Sequence, residues 1–193
     1  MQESMRSSQS STRPSRWVKR FLPLIKRGGL VLDLAAGNGR HVRLLRDCGF
    51  AVRAVDRDTT ALSPLAGQDC EVCRIDLETG DRPEIGGDYD GIVVTNYLHR
   101  PLFRLIADAL APVGVLIYET FAVGNERFGP PRNPDFLLRS GELLEAFASL
   151  TVVAFEQGEI SVPGPAVVQR LAAVRGPMRS LPEAVNSEAD GPN

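Results

Sequence analysis

The feature that most constrains this chain is a short apolar segment that runs directly into a glycine-rich turn. Residues 30–34 are apolar except for Asp33, which is typical of a strand buried in a parallel sheet. Gly37 and Gly39 follow, and paired glycines allow positive φ and the close approach of a ligand to the backbone. A helical pattern begins directly after the turn, and free amides at a helix start favour an anionic group. The segment therefore predicts a strand, a ligand-binding turn and a helix in succession.

A second apolar segment supports a ligand site at this turn because it ends in an acidic residue. Residues 51–55 predict the next strand, and Asp56 closes it nineteen positions after Gly37. An acidic side chain at that place can hydrogen-bond the hydroxyls of a ribose. Val42 stands where a dinucleotide fingerprint has its third glycine, which argues against a bound pyrophosphate. The spacing favours a nucleoside-cofactor site over an ordinary tight turn.

Asp33, Gly37 and Gly39 match the pattern acidic-x-x-x-Gly-x-Gly, and this part of the chain resembles motif I of class I S-adenosylmethionine (SAM) methyltransferases. The resemblance implies that the glycine turn wraps the methionine part of SAM, that Asp56 binds the ribose and that Asp76 lies near the adenine. It also implies S-adenosylhomocysteine (SAH) as the product and no metal. The residues expected to bind the cofactor are Asp33, Ala35, Gly37, Asn38, Gly39, Asp56, Arg57, Asp76, Leu77 and Asn96.

The rest of the chain alternates between strand and helix patterns. Alternation of this kind predicts an α/β fold with a doubly wound, Rossmann-like, mostly parallel sheet of seven strands and helices on both faces. The expected strands are 30–34, 51–55, 71–75, 90–95, 113–119, 150–156 and 166–174. The expected helices are 16–26, bent or broken at Pro23, then 38–48, 58–63, 101–110 and 139–147, the last with Ser140 as its N-cap. The last two strands resemble the antiparallel hairpin that ends methyltransferase sheets.

Length and composition fit one globular domain. The chain has 193 residues, of which 43% are hydrophobic and 24% are charged. We expect a disordered tail over 1–14, a single catalytic domain over 15–176 and a flexible tail over 177–193. No apolar run is long enough to cross a bilayer, and the start of the chain lacks the apolar core of a secretory signal. The expected location is therefore the cytoplasm, with no membrane partner.

Charge is distributed unevenly along the chain. Seven basic residues and one acidic residue lie at or before Gly29. The remainder of the chain has fifteen basic and twenty-three acidic residues, so the net charge of the whole chain is −2. A basic arm can bind phosphates. Its aromatic residues Trp17 and Phe21, however, fit the apolar face of a helix better than a base-stacking platform. Nucleic acid is therefore not the expected partner.

The three cysteines do not form a recognisable framework. Cys70 and Cys73 make one C-x-x-C pair, and a second pair, as in a zinc site, is missing from the sequence. Positions 70 and 73 of a strand also point to opposite faces. We therefore expect the pair to be structural.

Polar side chains follow the predicted strands 90–95 and 113–119. Because ligands of such sheets bind beyond the carboxyl ends of the strands, these side chains predict an acceptor pocket over the SAM methyl group. A loop rich in glycine and proline follows at 124–134, and long loops of this kind tend to be functional lids, with a non-catalytic loop as the alternative. The residues expected to bind the acceptor are Tyr97, Arg100, Tyr118, Asn125, Arg132 and Asn133.

His99, Tyr97 and Glu119 are the candidates for catalysis. Histidine titrates near neutrality, so His99 is the natural general base, although a capping role before Pro101 is an equal alternative. Glu119 can orient an amine or a cation. Arg132 can bind an acidic acceptor and is equally consistent with a solvated loop charge.

Residues 96–102 and 119–136 resemble a group of small bacterial SAM methyltransferases often called tellurite-resistance-like, and the likeness extends over about 17–175. The resemblance implies in-line methyl transfer to a small-molecule acceptor. We expect a monomer or a homodimer. Two alternatives remain: a SAM-binding protein without catalysis and, weakened by Val42, a nicotinamide-dependent oxidoreductase.

Overall fold

The computed structural model of the protein describes residues 12–79 and 82–177, so the expected tails lie almost entirely outside the described residues. In this part of the chain the helices are α1 (Arg16–Phe21), α2 (Arg40–Asp47), α3 (Phe103–Ala109) and α4 (Glu142–Ala146). The strands are β1 (Leu30–Leu34), β2 (Ala51–Asp56), β3 (Cys70–Arg74), β4 (Tyr89–Thr95), β5 (Leu110–Phe121), β6 (Thr151–Ile160) and β7 (Ala166–Val174). Single turns of 3-10 helix occur at Leu22–Leu24, Ser63–Leu65, Arg100–Leu102, Asn125–Arg127 and Pro134–Phe136.

The seven strands form one sheet in the order β3-β2-β1-β4-β5-β7-β6. Strands β1 to β5 are parallel, and β7 runs antiparallel between β5 and β6. This arrangement confirms the predicted doubly wound α/β fold and its antiparallel C-terminal hairpin. The register places Thr95 of β4 beside Glu119 of β5, and Glu119 beside Arg170 of β7. Polar residues from three neighbouring strands are therefore aligned at the carboxyl edge of the parallel strands.

The sheet separates two hydrophobic cores. On the face that α1 and α2 cover, called the α1 face here, the core includes Val115 and Ile117 of β5. On the opposite α3 face, which α3 and α4 cover, it includes Leu116 and Tyr118. The alternation along β5 follows from the two-residue period of a strand. Helices on both faces explain why the central strands are apolar on both sides.

Helix α1 confirms the interpretation of the basic arm as a packed helix. Trp17 and Phe21 are buried in the α1-face core, and their ring centroids lie 4.5 Å apart. The helix ends at Phe21, and a 3-10 turn containing Pro23 follows. This agrees with the predicted bend or break of the helix at Pro23. Cys70 and Cys73 lie against opposite cores, as predicted for positions of one strand. No helix within 12–79 or 82–177 is long and apolar enough to span a membrane.

Two predicted helices are wrong in part. The expected helix over 58–63 is replaced by turns, because the Asp56 and Asp58 carboxylates accept hydrogen bonds from the amides of Asp58 and Thr60. Such local bonds compete with the helical ones. The expected N-cap Ser140 does not cap α4, which begins after Gly141 at φ 72°. The Ser140 hydroxyl instead accepts a hydrogen bond from Gln157 of β6.

Candidate functional site

The glycine turn after β1 is fastened to the end of β2. Gly37 and Gly39 have φ values of 57° and 73°, a region that favours glycine. The Gly37 amide donates a 2.8 Å hydrogen bond to the Asp56 carboxylate. A Cβ atom at Gly39 would lie 2.6 Å from Leu65, whereas one at Gly37 would meet nothing within 4 Å. The turn is therefore closely packed at Gly39 and open at Gly37, where a ligand can approach the backbone.

Two further residues shape this turn. Ala35 has φ 56° and begins the bend that takes the chain out of β1. The Asn38 side-chain oxygen accepts a hydrogen bond from the Arg40 amide at 3.2 Å. Asn38 thereby satisfies one of the free amides at the start of α2. Both predicted cofactor residues thus lie in the turn itself.

Asp33 is a buried carboxylate with an unsatisfied oxygen. Its relative exposure is 1%, and Oδ2 has no hydrogen-bond partner. Burial raises the pKa of Asp33 to about 7, although the nearby Arg40 guanidinium and a hydrogen bond from the Val42 amide act in the opposite direction. A buried polar atom without a partner is costly, so this oxygen is the clearest ligand-binding signal in the site. An ammonium group would satisfy both its charge and its hydrogen bonding.

Asp56 and Asp76 follow the neighbouring strands β2 and β3. Besides the Gly37 amide, Asp56 accepts a hydrogen bond from the Asp58 amide at 3.0 Å. Asp76 likewise accepts one from the Glu78 amide at 3.0 Å. A carboxylate has about four acceptor positions, so each keeps capacity for a ligand hydroxyl or amino group. The two carboxylates lie at the edge where a nucleoside would bind in a sheet of this type.

Arg57 and Leu77 occupy different environments beside these carboxylates. Arg57 is exposed, and its carbonyl accepts a hydrogen bond from Arg74 of β3 at 3.2 Å. Leu77 is buried in the α3-face core. The loop after β2 is thus tied to β3, and the loop after β3 is anchored in the core.

Asn96 and Tyr97 follow β4. Asn96 has φ 55°, and its amide donates to the Glu119 carbonyl at 2.9 Å. The Tyr97 carbonyl accepts a 2.9 Å hydrogen bond from the Tyr118 hydroxyl, whereas the Tyr97 hydroxyl itself is buried without a partner. The turn therefore holds the Tyr97 backbone firmly while leaving its side-chain oxygen unsatisfied.

Glu119 lies on the α1 face in a network of ion pairs. Its carboxylate pairs with the Arg170 guanidinium at 2.6 Å, and Arg170 also pairs with Glu156 at 3.1 Å. The Arg170 guanidinium lies over the Trp17 ring at 5.9 Å. Glu119 thus already has a cationic partner, and the network joins α1 to β5, β6 and β7.

Two site residues, Arg40 and His41, were missed in the sequence. An Arg40 nitrogen lies 3.5 Å from the Thr95 hydroxyl at the end of β4. Burial lowers the pKa of Arg40, whereas the carboxylates of Glu119 and Asp33 raise it. The Arg40 charge is thus stabilised by acidic residues of two strands, β1 and β5. The signal that would have found it is its position in the first turn of the helix after the glycines.

His41 connects α1 to the same edge. Its Nε2 accepts a 3.0 Å hydrogen bond from the Ser15 amide, so Nδ1 carries the proton and faces the Thr95 hydroxyl at 3.4 Å. Burial, together with the Arg40 charge, lowers the pKa of His41 to about 3. The imidazole is therefore neutral and fixed in one tautomer.

Arg100 is engaged by the protein itself. Its guanidinium pairs with Glu142 of α4 at 2.6 Å and donates to the carbonyls of Asp135 and Leu137 at 2.7 and 2.9 Å. Although burial alone would raise the pKa of Glu142, hydrogen bonds from Arg100 and from the Arg139 amide lower it. Arg100 therefore anchors the end of the loop after β5 to α4.

The loop itself is organised by Asn125. The buried Asn125 side chain accepts a hydrogen bond from the Val167 amide at 3.2 Å and donates to the carbonyls of Pro130 and Pro131 at 3.5 Å. Arg132 and Asn133 are exposed, and the Asn133 side chain accepts a hydrogen bond from the Asp135 amide at 3.0 Å. Tyr118 is buried in the α3-face core. Of the predicted acceptor residues, Arg132 and Asn133 have the most exposed side chains.

The predicted catalytic residues Glu119 and His99 have different surroundings. Glu119 lies in the ion-pair network of the α1 face. Half-buried His99 lines a cavity of about 350 Å³ with residues such as Leu77, Leu102 and Leu105, between the loop after β3 and α3. Within the described residues no cluster of three or more His, Cys, Asp or Glu side chains could hold a metal ion.

No protein-family model matches the chain, and no curated protein matches its sequence. Among solved structures, TehB from Haemophilus influenzae is similar with a TM-score of 0.65 and 17% identity over 83% of this chain. The match covers 61% of the TehB chain, less than two thirds of its length. A SAM-dependent methyltransferase from Methanosarcina mazei is similar with a TM-score of 0.64 and 13% identity, over 84% of this chain and 98% of that one.

The 1,6-didemethyltoxoflavin-N1-methyltransferase of Burkholderia thailandensis, solved with 1,6-didemethyltoxoflavin and SAH, has a TM-score of 0.64 and 20% identity. Its match covers 88% of this chain and 80% of that one. At these identities the likeness is one of fold. The chain has the fold of the class I SAM-dependent methyltransferases.

Proposed function

We propose that this protein is a SAM-dependent methyltransferase that acts on a small-molecule acceptor. The observation that carries the proposal is the unsatisfied, buried Oδ2 of Asp33 beside a glycine turn that is open at Gly37. Asp56 is hydrogen-bonded to that turn, so a carboxylate for a ribose lies next to the space for a ligand. The fold adds independent support, because solved proteins of this shape include methyltransferases.

The residues present fit SAM part by part. Asp33 would hold the ammonium group of the methionine part, and the backbone at Gly37 would lie along its chain. Asp56 would accept hydrogen bonds from the ribose hydroxyls. Asp76 would accept one from the adenine amino group. Each role uses an acceptor that is unsatisfied or retains free capacity.

When bound, SAM supplies a methyl group on a positively charged sulfur. The protein's own contribution is to align the acceptor and to exclude water, which lowers the barrier of a displacement dominated by positioning. The Glu119 carboxylate is held in an ion pair with Arg170, and burial raises the pKa of the Tyr97 phenol, which keeps the phenol protonated at neutral pH. Of the three candidates, we therefore propose His99 as the general base for an acceptor that must lose a proton.

The test is a methyl-transfer assay with labelled SAM and pools of small amines, thiols, phenols and carboxylic acids. The proposal expects label in at least one small product and formation of SAH in equal amount. A protein that binds SAH but transfers no methyl group across all pools would favour the non-catalytic alternative. Binding of NADH in place of SAH would favour the oxidoreductase.

A further inference from the structure

We propose that the Tyr97 hydroxyl hydrogen-bonds the adenosine part of the cofactor and does not belong to the acceptor pocket. This inference rests on the proposed function and deepens it, since it assigns a further polar contact to the nucleoside. The sequence suggested the opposite role for Tyr97, in catalysis and acceptor binding.

The first observation is a contrast among the three tyrosines of the chain. The Tyr118 hydroxyl donates to the Tyr97 carbonyl, and the Tyr89 hydroxyl donates to the Ile85 carbonyl. The Tyr97 hydroxyl is buried and has no partner. Leaving a buried polar group unsatisfied is unfavourable, and such groups in folded proteins usually meet a partner. A ligand group at this position would complete the hydrogen bonding.

The second observation is the identity of the charged groups around this hydroxyl. Burial raises the pKa of Tyr97, and the carboxylates of Glu78, Asp76 and Asp56 raise it further, while Arg57 lowers it. All four charged residues lie at the ends of β2 and β3, where the nucleoside carboxylates are. Glu119 and its ion-pair network lie on the α1 face, near the carboxyl end of β5 and the middle of β7. Tyr97 also packs against the α3-face core that contains Leu77, the residue directly after Asp76, so its side chain lies toward the nucleoside end of the site.

The third observation is that the side chain is fixed in this position. The Tyr97 ring packs against the α3-face core, and its carbonyl is held by Tyr118. The preceding Asn96 is tied to β5 through its amide. A fixed hydroxyl loses little freedom when a ligand binds, which favours affinity. Because burial keeps the phenol protonated, it can both donate and accept a hydrogen bond from the base or the ribose.

The experiment compares Tyr97→Phe with the wild-type full-length chain in titrations with SAH and with 5′-methylthioadenosine, which lacks the amino-acid part. We expect Tyr97→Phe to weaken the binding of both ligands by about 2- to 12-fold, which corresponds to the loss of one hydrogen bond. Asp33→Asn should weaken SAH and leave 5′-methylthioadenosine within about twofold, because only SAH carries the ammonium group. Tyr89→Phe, which removes a hydroxyl bonded to Ile85 at the far end of β4, should change neither affinity.

Apo stability provides a second readout. Tyr97→Phe removes an unsatisfied hydroxyl, so the free protein should be as stable as the wild type or more stable. Tyr89→Phe removes a satisfied one and should be less stable. Unchanged affinity of Tyr97→Phe for both ligands, or a loss confined to SAH, would overturn the inference. If the wild type binds neither ligand, the proposed function itself fails.

Discussion

Asp33 is the residue whose ionisation should govern cofactor binding. Burial raises its pKa to about 7 in the free protein, and Arg40 and Asp56 are the charged groups that act on it. Pairing with an ammonium group favours the ionised carboxylate, so binding below pH 7 must release a proton. SAH affinity should therefore rise with pH up to about 7 and then level off. Calorimetry at pH 6 in buffers of different ionisation enthalpy measures the proton directly, and Asp33→Asn should abolish its release.

The same carboxylate should affect the stability of the free protein. Its pKa in the folded state lies above the ordinary value of 3.8, so between about pH 4 and 7 the unfolded chain ionises Asp33 while the folded protein holds it protonated. The contribution of Asp33 to stability should therefore fall as the pH rises through this range, by an amount on the order of a few kcal/mol. His41, whose pKa is lowered to about 3, acts in the opposite direction between about pH 3 and 6.5, so the Asp33 contribution is read from the difference between the wild type and Asp33→Asn. Urea unfolding at pH 5 and pH 8 compares the wild type with Asp33→Asn. An equally steep pH dependence in the variant would contradict the assignment.

Asp56 offers a test that is independent of titration. Asp56→Ala removes the carboxylate proposed to bind the ribose and should weaken SAH binding by about 1.5–3 kcal/mol, as expected for the loss of a charged hydrogen-bond partner. Asp69→Ala is the matched control, because Asp69 is an exposed carboxylate just before β3, at the opposite edge of the sheet. Titration of both variants with SAH measures the difference. Equal affinities would place the ribose elsewhere.

At the scale of structural elements, the Arg100–Glu142 pair should hold the loop after β5 in place. The Glu142 side chain is only 4% exposed, and removing Arg100 takes away its 2.6 Å ion pair. Arg139 remains as a partner, through its amide at 2.8 Å and its largely exposed guanidinium at 3.4 Å. Removing one partner of a buried ion pair lowers the free energy of unfolding by about 3–5 kcal/mol. Because the Arg100 side chain is 36% exposed, we expect the loss in Arg100→Leu to lie near or below the low end of that range. Arg104→Leu, whose side chain is 93% exposed beside Asp108, should change stability by less than about 0.5 kcal/mol.

Urea unfolding of the two variants tests this contrast. A double variant, Arg100→Leu with Glu142→Leu, should be less destabilised than Arg100→Leu alone, since it leaves no buried carboxylate short of a partner. Equal stability of Arg100→Leu and Arg104→Leu would contradict the role of the Arg100–Glu142 pair in holding the loop after β5.

The elements that sequence predicted best are those whose signal is local. β1 and β4 are recognisable because a strand buried on both faces is apolar throughout, and the glycine turn is recognisable by its residue types. The helix expected after β2 failed because the carboxylates of Asp56 and Asp58 bond backbone amides two residues ahead. The start of α4 was misplaced because Gly141, not Ser140, provides the left-handed residue before the helix.

The parts of the site that sequence did not reveal depend on distant partners. His41 meets Ser15 and Thr95, which are 26 and 54 positions away. Arg100 was expected to bind a ligand. In the structure its guanidinium pairs with Glu142, which lies 42 positions further along the chain. Such pairs cannot be predicted from a local pattern of residue types, because their members become neighbours only when the chain folds.

At the scale of the whole molecule, the candidate site is assembled from all parts of the described chain. α1 docks on β7 through the Trp17 indole nitrogen, which donates to the Leu171 carbonyl at 3.3 Å. His41 and Arg170 connect that helix to the ends of β4 and β5. Asp33 and Asp56 come from β1 and β2. Ligand binding should therefore stabilise the fold as a unit, because the ligand would contact several strands at once.

A calorimetric titration of the full-length chain with SAH, with NADH titrated in parallel, tests the proposed SAM site most directly. We expect one SAH site per chain, release of a proton at pH 6 and no measurable heat with NADH. We also expect Asp33→Asn to weaken SAH binding and Asp69→Ala to leave it unchanged. Absence of SAH binding, or binding that is indifferent to both Asp33 and Asp56, would contradict the assignment of a SAM site to the carboxyl edge of β1 and β2.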